Sequence, residues 1–154
     1  MAIKQSAGIL LFRRRHGSLE VMLVHPGGPF WKNKDLGTWS IPKGEFLDDE
    51  DPLEAAKREF KEETGSQVEG DFVALDPLKL KSGKLVFAWA VEGDLDVDKI
   101  VCNNIRIEWP PRSGKYQLIP ECDRGEWFSL DKASKKINPG QLNFLEQLVA
   151  LTRR

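Results

Sequence analysis

Apolar residues run almost unbroken from Ala7 to Phe12 and give way to Arg13 and Arg14. A short continuous apolar run predicts a strand buried on both faces. Arg15 to Ser18 reads as a turn and Leu19 to His25 as a second strand, so the two form a hairpin. Pro26 to Thr38 is a long loop rich in glycine and proline, with Phe30, Trp31 and two lysines, which suits a functional loop better than a linker. Trp39 to Ile41 is a brief strand. Further on, Ser66 to Leu80 is extended and mixed, Lys84 to Val91 alternates as a strand, and Glu92 to Lys99 is an acidic surface loop. Ile105 to Trp109 is a strand stopped by Pro110 and Pro111, which cannot continue a ladder. Arg112 to Lys115 is a basic turn, and Glu126 to Leu130 is the last strand. Asp131, as a possible cap, opens a helix to Lys136; Pro139 and Gly140 break it; and Leu142, Leu145, Leu148, Val149 and Leu151 pattern a final helix over Gln141 to Thr152.

The clearest helix lies mid-chain. Asp51 is an N-cap, Pro52 suits the first helical position, Glu54 can close a capping box, and Gly65 suits the residue past the C-terminus. Leu53, Ala56 and Phe60 give it one apolar stripe. The order β-β-β-α-β-β-β-β-α-α predicts a single α/β domain over residues 1–154, a mixed β-sheet sandwiched between helices in an α/β/α arrangement.

That helix carries the chemistry. Residues three and four apart share a helix face, so Glu62 and Glu63 both lie one turn beyond Glu59. Carboxylates held so close disfavour one another's ionised forms. A hard divalent cation among them resolves the repulsion, since Mg²⁺ and Mn²⁺ prefer carboxylate oxygens, and such a metal commonly completes its shell with water and substrate phosphate. An acidic helix face alone is more often plain solvated surface. The fixed spacing to Gly44, Glu50, Arg58 and Gly65 argues for a site.

Those residues resemble the signature of the Nudix hydrolases, G-x5-E-x7-R-E-U-x-E-E-x-G with U a bulky apolar residue. Gly44, Glu50, Arg58, Glu59, Phe60, Glu62, Glu63 and Gly65 match it in register, while Ser66 stands where an apolar residue usually follows. The resemblance implies the Nudix fold, MutT-like, and hydrolysis of a diphosphate linkage in a nucleoside diphosphate joined to another group, with Mg²⁺ or Mn²⁺ as cofactor. On that reading Glu59, Glu62 and Glu63 are metal ligands, with the Gly44 carbonyl as a further candidate. Glu50 is a weaker ligand or a partner for Arg58, and Arg58 orients the glutamates. The general base is Glu59 first, then Glu62, with Glu121 the most attractive later acid, ahead of Asp123 and Glu126.

The net charge of −1 offers no global attraction to nucleic acid or membrane, so phosphate must be met by local cations. Lys43 is the foremost of these because it adjoins Gly44; Lys79, Lys81, Lys84, Arg112 and Lys115 are others. A nucleobase wants an aromatic face, and Phe30, Trp31, Phe87, Trp89, Trp109 and Tyr116 are candidates, with Trp39 and Trp127 assigned to the core. The substrate-binding set is therefore Lys43, Phe87, Arg112 and Tyr116. No apolar run reaches the ~20 residues of a membrane span, and the N-terminus lacks the layout of a secretory signal, which points to the cytoplasm. Cys102 and Cys122 are then expected to be free thiols, and His25 a plain strand-end histidine.

Trp39 to Glu45, W-S-I-P-K-G-E, resembles the W-x-x-P-K-G stretch of Nudix diadenosine tetraphosphate hydrolases and of some MutT-like and diphosphoinositol-polyphosphate relatives. The favoured partner is thus a small-molecule nucleotide, foremost a dinucleoside polyphosphate. Nucleoside triphosphate clean-up, including oxidised bases, is the next reading, and a non-catalytic Nudix-fold nucleotide-binding module the opposing one. Long nucleic acid and membrane are not expected partners, and the chain is expected to be a monomer or homodimer.

Overall fold

The structure is a computed structural model and describes residues 4–153. Strand β1 (Gln5–Arg15) is the spine of the molecule. It pairs antiparallel with β2 (Ser18–Pro26) and β3 (Lys43–Glu45), and parallel with β6 (Leu85–Glu92). The edges are completed by β4 (Val73–Ala74) and β5 (Leu78–Lys79) on β6, and by β9 (Cys122–Ser129) on β2. A separate hairpin, β7 (Asn104–Glu108) with β8 (Tyr116–Pro120), leads into β9.

Side chains alternate along β1, and that alternation builds two cores. Ala7, Ile9 and Leu11 face helix α1 (Pro52–Thr64), meeting Ala55, Ala56 and Phe60. Leu10 and Phe12 face α2 (Leu130–Lys136) and α3 (Leu142–Thr152), meeting Ala133, Phe144, Leu145 and Leu148. The expected α/β/α sandwich is what forms. Among the described residues no helix is long and apolar enough to cross a membrane.

Several local readings differ. The third ladder lies at Lys43–Glu45; Trp39 and Ser40 make only isolated bridges, because Ile41 and Pro42 turn the chain from β2 towards β1. Tyr116–Pro120 is a strand where only a turn and Tyr116 were read: Arg112 to Lys115 is the tip of a hairpin whose second strand has too little alternation to stand out. Ser129, not Asp131, caps α2, its hydroxyl accepting the Lys132 amide at 3.4 Å. Trp39 is buried as expected, but Trp127 is only half-buried, with the Arg13 guanidinium 4.0 Å from its ring centre. His25 is no plain strand-end residue: it is fully buried, and its Nδ1 lies 3.0 Å from Asp123. Cys102 and Cys122 are free thiols.

One brace fixes the approach to the acidic helix. Gln141, which caps the last helix, is buried, and its Oε1 accepts the Ile41 amide at 3.1 Å while its Nε2 donates to Ser40 Oγ at 3.0 Å. The strand that delivers Lys43 and Gly44 is thereby tied to the opposite layer. Gln141→Ala leaves the buried Ile41 N–H unpaired, which costs about 1–3 kcal/mol. Thermal unfolding followed by circular dichroism should then show a Tm lower by several degrees, at roughly 2–4 °C per kcal/mol for a chain of this size.

Candidate active site

Helix α1 starts and stops on the residues expected of it. The Asp51 carboxylate accepts the Glu54 amide at 3.1 Å. Gly65 adopts φ 78° and its N–H donates to the Lys61 carbonyl at 2.7 Å, a left-handed exit that glycine makes without steric cost. With Ala55, Ala56 and Phe60 in the core, the neighbouring flank turns Glu59 and Glu63 inward, and both are buried. Glu62 stays half-exposed beside them.

Glycine at 44 is required by close approach. A Cβ there would coincide with the Glu59 carboxylate, so any larger residue would push that carboxylate out of its place. Arg58 clamps the cluster from the solvent side. Its Nη1 donates to Glu59 Oε1 at 2.9 Å and to Glu62 Oε1 at 3.3 Å, and its Nη2 lies 3.1 Å from Glu50 Oε2. Glu50 is therefore the partner of Arg58 in this arrangement.

A cavity of about 470 Å³ opens over these groups, lined by Ser6, Lys43, Gly44, Glu45, Glu59, Glu62, Lys84 and Glu121. Five parts of the chain meet there: β1, β3, α1, the turn that leads into β6, and the junction of β8 with β9. A slightly larger cleft of about 510 Å³ lies on the outer flank of α1 among Lys57, Lys61 and Phe72, away from Gly44 and Glu121. The acid cluster, not the cleft size, picks the site.

The electrostatics are those of carboxylates lacking enough positive charge. Burial, then the neighbouring Glu62, pushes the Glu59 carboxyl up to about 7, although Arg58 pulls it down. Burial, then Glu121, pushes Glu63 up to about 9. Glu63 Oε2 is buried without a hydrogen-bond partner, a costly state for a carboxylate oxygen. On the cationic side, burial lowers the Lys43 ammonium, and Lys84 adds to that effect. As the side chains stand, with Arg58 drawing on Glu59 and Glu62, no three acidic, histidine or cysteine side chains among the described residues form a closed metal cage. The fit to a divalent cation rests instead on the orphaned Glu63 oxygen, on the hard oxygen character of Glu59, Glu62 and Glu63, and on the bare backbone at Gly44.

Of the residues singled out from sequence, Lys43, Gly44, Glu59, Glu62, Lys84 and Glu121 share the cavity, with Arg58 and Glu63 packed against it. Phe87 is partly buried in the α1-side core, edge-to-face with Phe46 at 6.0 Å. Arg112 lies at the tip of the β7–β8 hairpin, and the exposed Tyr116 stacks under the Arg106 guanidinium at 4.2 Å; neither lines the cavity. Ser6 went unread: its fully buried hydroxyl has no partner and belongs to the cavity wall. The available signal was a serine in a strand otherwise apolar on that stretch.

The family model for the NUDIX domain matches residues 3–148. A sequence comparison with curated proteins finds no match. Among solved structures, a C. elegans Ap4A hydrolase in a binary complex is similar, with TM-score 0.62 and 23% identity, covering 97% of each chain. The NUDIX domain of Shewanella oneidensis NrtR, complexed with ADP ribose, has TM-score 0.66 and 19% identity over 98% of this chain and 89% of its own. The E. coli ORF135 protein has TM-score 0.56 and 22% identity over 98% of this chain and 93% of its own. With nearly its whole length matched by that model, the chain belongs to the NUDIX domain family.

Proposed function

We propose that this chain hydrolyses a phosphoanhydride bond of a dinucleoside polyphosphate such as diadenosine tetraphosphate, using Mg²⁺ or Mn²⁺. The observation that carries the reading is the convergence of Glu59, Glu62 and Glu121 with Lys43 and Lys84 on one cavity, beside a buried Glu63 with an orphaned oxygen. Glu59, Glu62, Glu63 and the Gly44 carbonyl would hold the metal. When bound, a divalent metal neutralises phosphate charge and makes water more acidic. Lys43 and Lys84 meet the remaining phosphate charge from β3 and the start of β6. Arg58 fixes the glutamates, so their positions do not depend on substrate. Glu121 approaches from a separate element and makes no ion pair among the described residues, which leaves it free to take a proton from an attacking water. The W-S-I-P-K-G-E stretch and the likeness to a C. elegans Ap4A hydrolase support the substrate class.

The direct test is product analysis on a panel of diadenosine polyphosphates, nucleoside triphosphates with 8-oxo forms, ADP-ribose and a diphosphoinositol polyphosphate. Each is run with Mg²⁺, with Mn²⁺ and with a chelator. The expected result is metal-dependent turnover with a dinucleoside polyphosphate preferred. Preference for a nucleoside triphosphate would replace the substrate assignment, and metal binding without turnover of any compound would favour a binding module.

Glu63→Gln keeps the shape of the side chain and removes its charge. It should cut turnover by about 100-fold or more, the scale of a lost charge-stabilising group, and abolish the rise in Tm that Mn²⁺ gives the parent protein. Unchanged turnover would remove Glu63 from the site. Gly44→Ala places a methyl on the Glu59 carboxylate. Displacing that group by about 1 Å should lower kcat on the order of 100-fold.

The raised carboxyls also set a pH dependence. A folded-state pKa of about 7 for Glu59 and about 9 for Glu63, against 4.5 unperturbed, means that the folded protein binds more protons than the unfolded chain between pH 4.5 and about 9. Stability of the metal-free protein therefore falls as pH rises through that window. Chelator-treated protein should lose Tm steadily from pH 5 to pH 9, and Glu63→Gln should flatten the upper part of the slope. A parent Tm that is level or rising with pH would contradict it.

A further inference from the structure

Resting on that nucleotide reading, we infer that the loop spanning residues 26–38 carries the nucleobase subsite, with Phe30 and Trp31 as the stacking faces and Lys34 as the accompanying cation. Among the exposed aromatics of the described residues, these two sit on the loop bonded to Glu121, whereas Tyr116 lies on the β7–β8 hairpin. Phe30 is 51% and Trp31 36% exposed, while Trp39 eight residues on is 1% exposed and serves the core. The pair stands edge-to-face at 4.7 Å, and the Lys34 ammonium lies 4.2 Å from the Phe30 ring centre. An exposed aromatic pair with a positive charge beside it is what a base attached to phosphates requires.

The loop has no regular structure, yet it is tied down at both ends. At its start the Gly27 N–H donates to the Glu121 carbonyl at 3.0 Å. Two features make that approach possible. Any Cβ at Gly27 would collide with the Pro120 carbonyl, and a Cβ at Gly28 would collide with Ile119. In the middle, His25 Nε2 holds the Lys34 carbonyl at 2.6 Å while its Nδ1 holds Asp123. Asp123 is the extra residue where the β2–β9 register slips, so the bulge turns its carboxylate to His25 instead of leaving it in the ladder. At its end Gly37 N–H donates to the Lys135 carbonyl at 3.0 Å, and Asp35 accepts from Trp39 Nε1 at 2.8 Å and pairs with Lys136.

Those ties fix the aromatic pair relative to the cavity. Gly27 touches Glu121, which lines it, and Phe30 lies three residues further, within about 10 Å of Gly27 even if fully extended. On this assignment, a base on these rings extends its phosphates along the Gly27–Glu121 contact towards Lys43 and the acid cluster. Ties on either side of the rings lower the ordering cost of stacking when substrate arrives.

The test is equilibrium binding with Ca²⁺ in place of Mg²⁺, by calorimetry, of diadenosine tetraphosphate and of inorganic tripolyphosphate, which has phosphates but no base. The parent protein should prefer the dinucleotide by about tenfold or more. Phe30→Leu and Trp31→Leu should lose that preference while keeping the tripolyphosphate affinity and the Mn²⁺-induced rise in Tm. Retained preference in both variants overturns the inference and leaves the proposed function standing. If the parent self-associates and the variants lose that association with preference retained, the rings belong to a self-interface, which also overturns it. If the parent hydrolyses no polyphosphate and binds neither ligand, the proposed function fails and the subsite fails with it. Lys34→Met leaves both rings in place and removes the cation beside them, so it should lower the dinucleotide preference while keeping the tripolyphosphate affinity; an unchanged ratio would remove Lys34 from its assigned role.

Discussion

Everything distinctive in this molecule follows from burying carboxylates on one flank of α1. Burying the apolar stripe of Ala55, Ala56 and Phe60 against β1 forces the next flank, with Glu59 and Glu63, under β3. Full burial of a side chain the size of Phe60 yields roughly 1.5–3 kcal/mol. An ionised carboxylate out of water without adequate partners costs more than that. The fold accommodates the conflict in two ways. Arg58 compensates Glu59 and Glu62 directly. Glu63 has no such partner at Oε2, and its raised pKa expresses the remaining deficit.

The opposite layer makes that arrangement possible. A strand as short as Lys43–Glu45 has few ladder bonds of its own to β1. Its position is fixed by Ile9 N–H donating to the Pro42 carbonyl at 3.1 Å, by the exchanged bonds between Val24 and Ser40, and by Gln141 from the α2–α3 side. Gly44 must stay within contact of Glu59, so imprecision here would be felt at once in the acid cluster. The same layer, through Lys135 and Lys136, pins the far end of the aromatic loop. The α2–α3 side thus contributes no chemistry yet sets the register of what does.

How much of this the sequence discloses depends on the range of the interaction. The α1 cap at Asp51, its glycine exit and the shared face of Glu59, Glu62 and Glu63 are readable because they depend on residues three or four apart. The α/β/α order is readable from runs of apolar residues. Tyr116–Pro120 is not, because Y-Q-L-I-P has little alternation and owes its strand to pairing with β7. His25 defeats a local reading for a different reason: its partners are Asp123, 98 residues away, and a loop carbonyl, and the bulge that aims Asp123 is a property of strand pairing. Ser6 and Lys84 join the cavity through the parallel β1–β6 pairing, which no spacing rule discloses. Arg112 and Tyr116 were chosen for residue type, and the hairpin carries them away from the cavity.

On the proposed assignment, metal binding and protonation compete for the same oxygens. A carboxyl with pKa near 9, as at Glu63, holds its proton at neutral pH, and a cation that takes the site must displace it. Such a site favours a metal at higher pH, where the metal-free protein is least comfortable, so the cation relieves a cost that the fold itself creates. Glu121 lies within the same field and raises Glu63 further, which couples the β8–β9 junction to the metal oxygens without any direct bond. Since Gly27 is bonded to that junction and the aromatic loop begins there, substrate seated on the loop and cation seated on α1 would meet through a single rigid segment around Glu121.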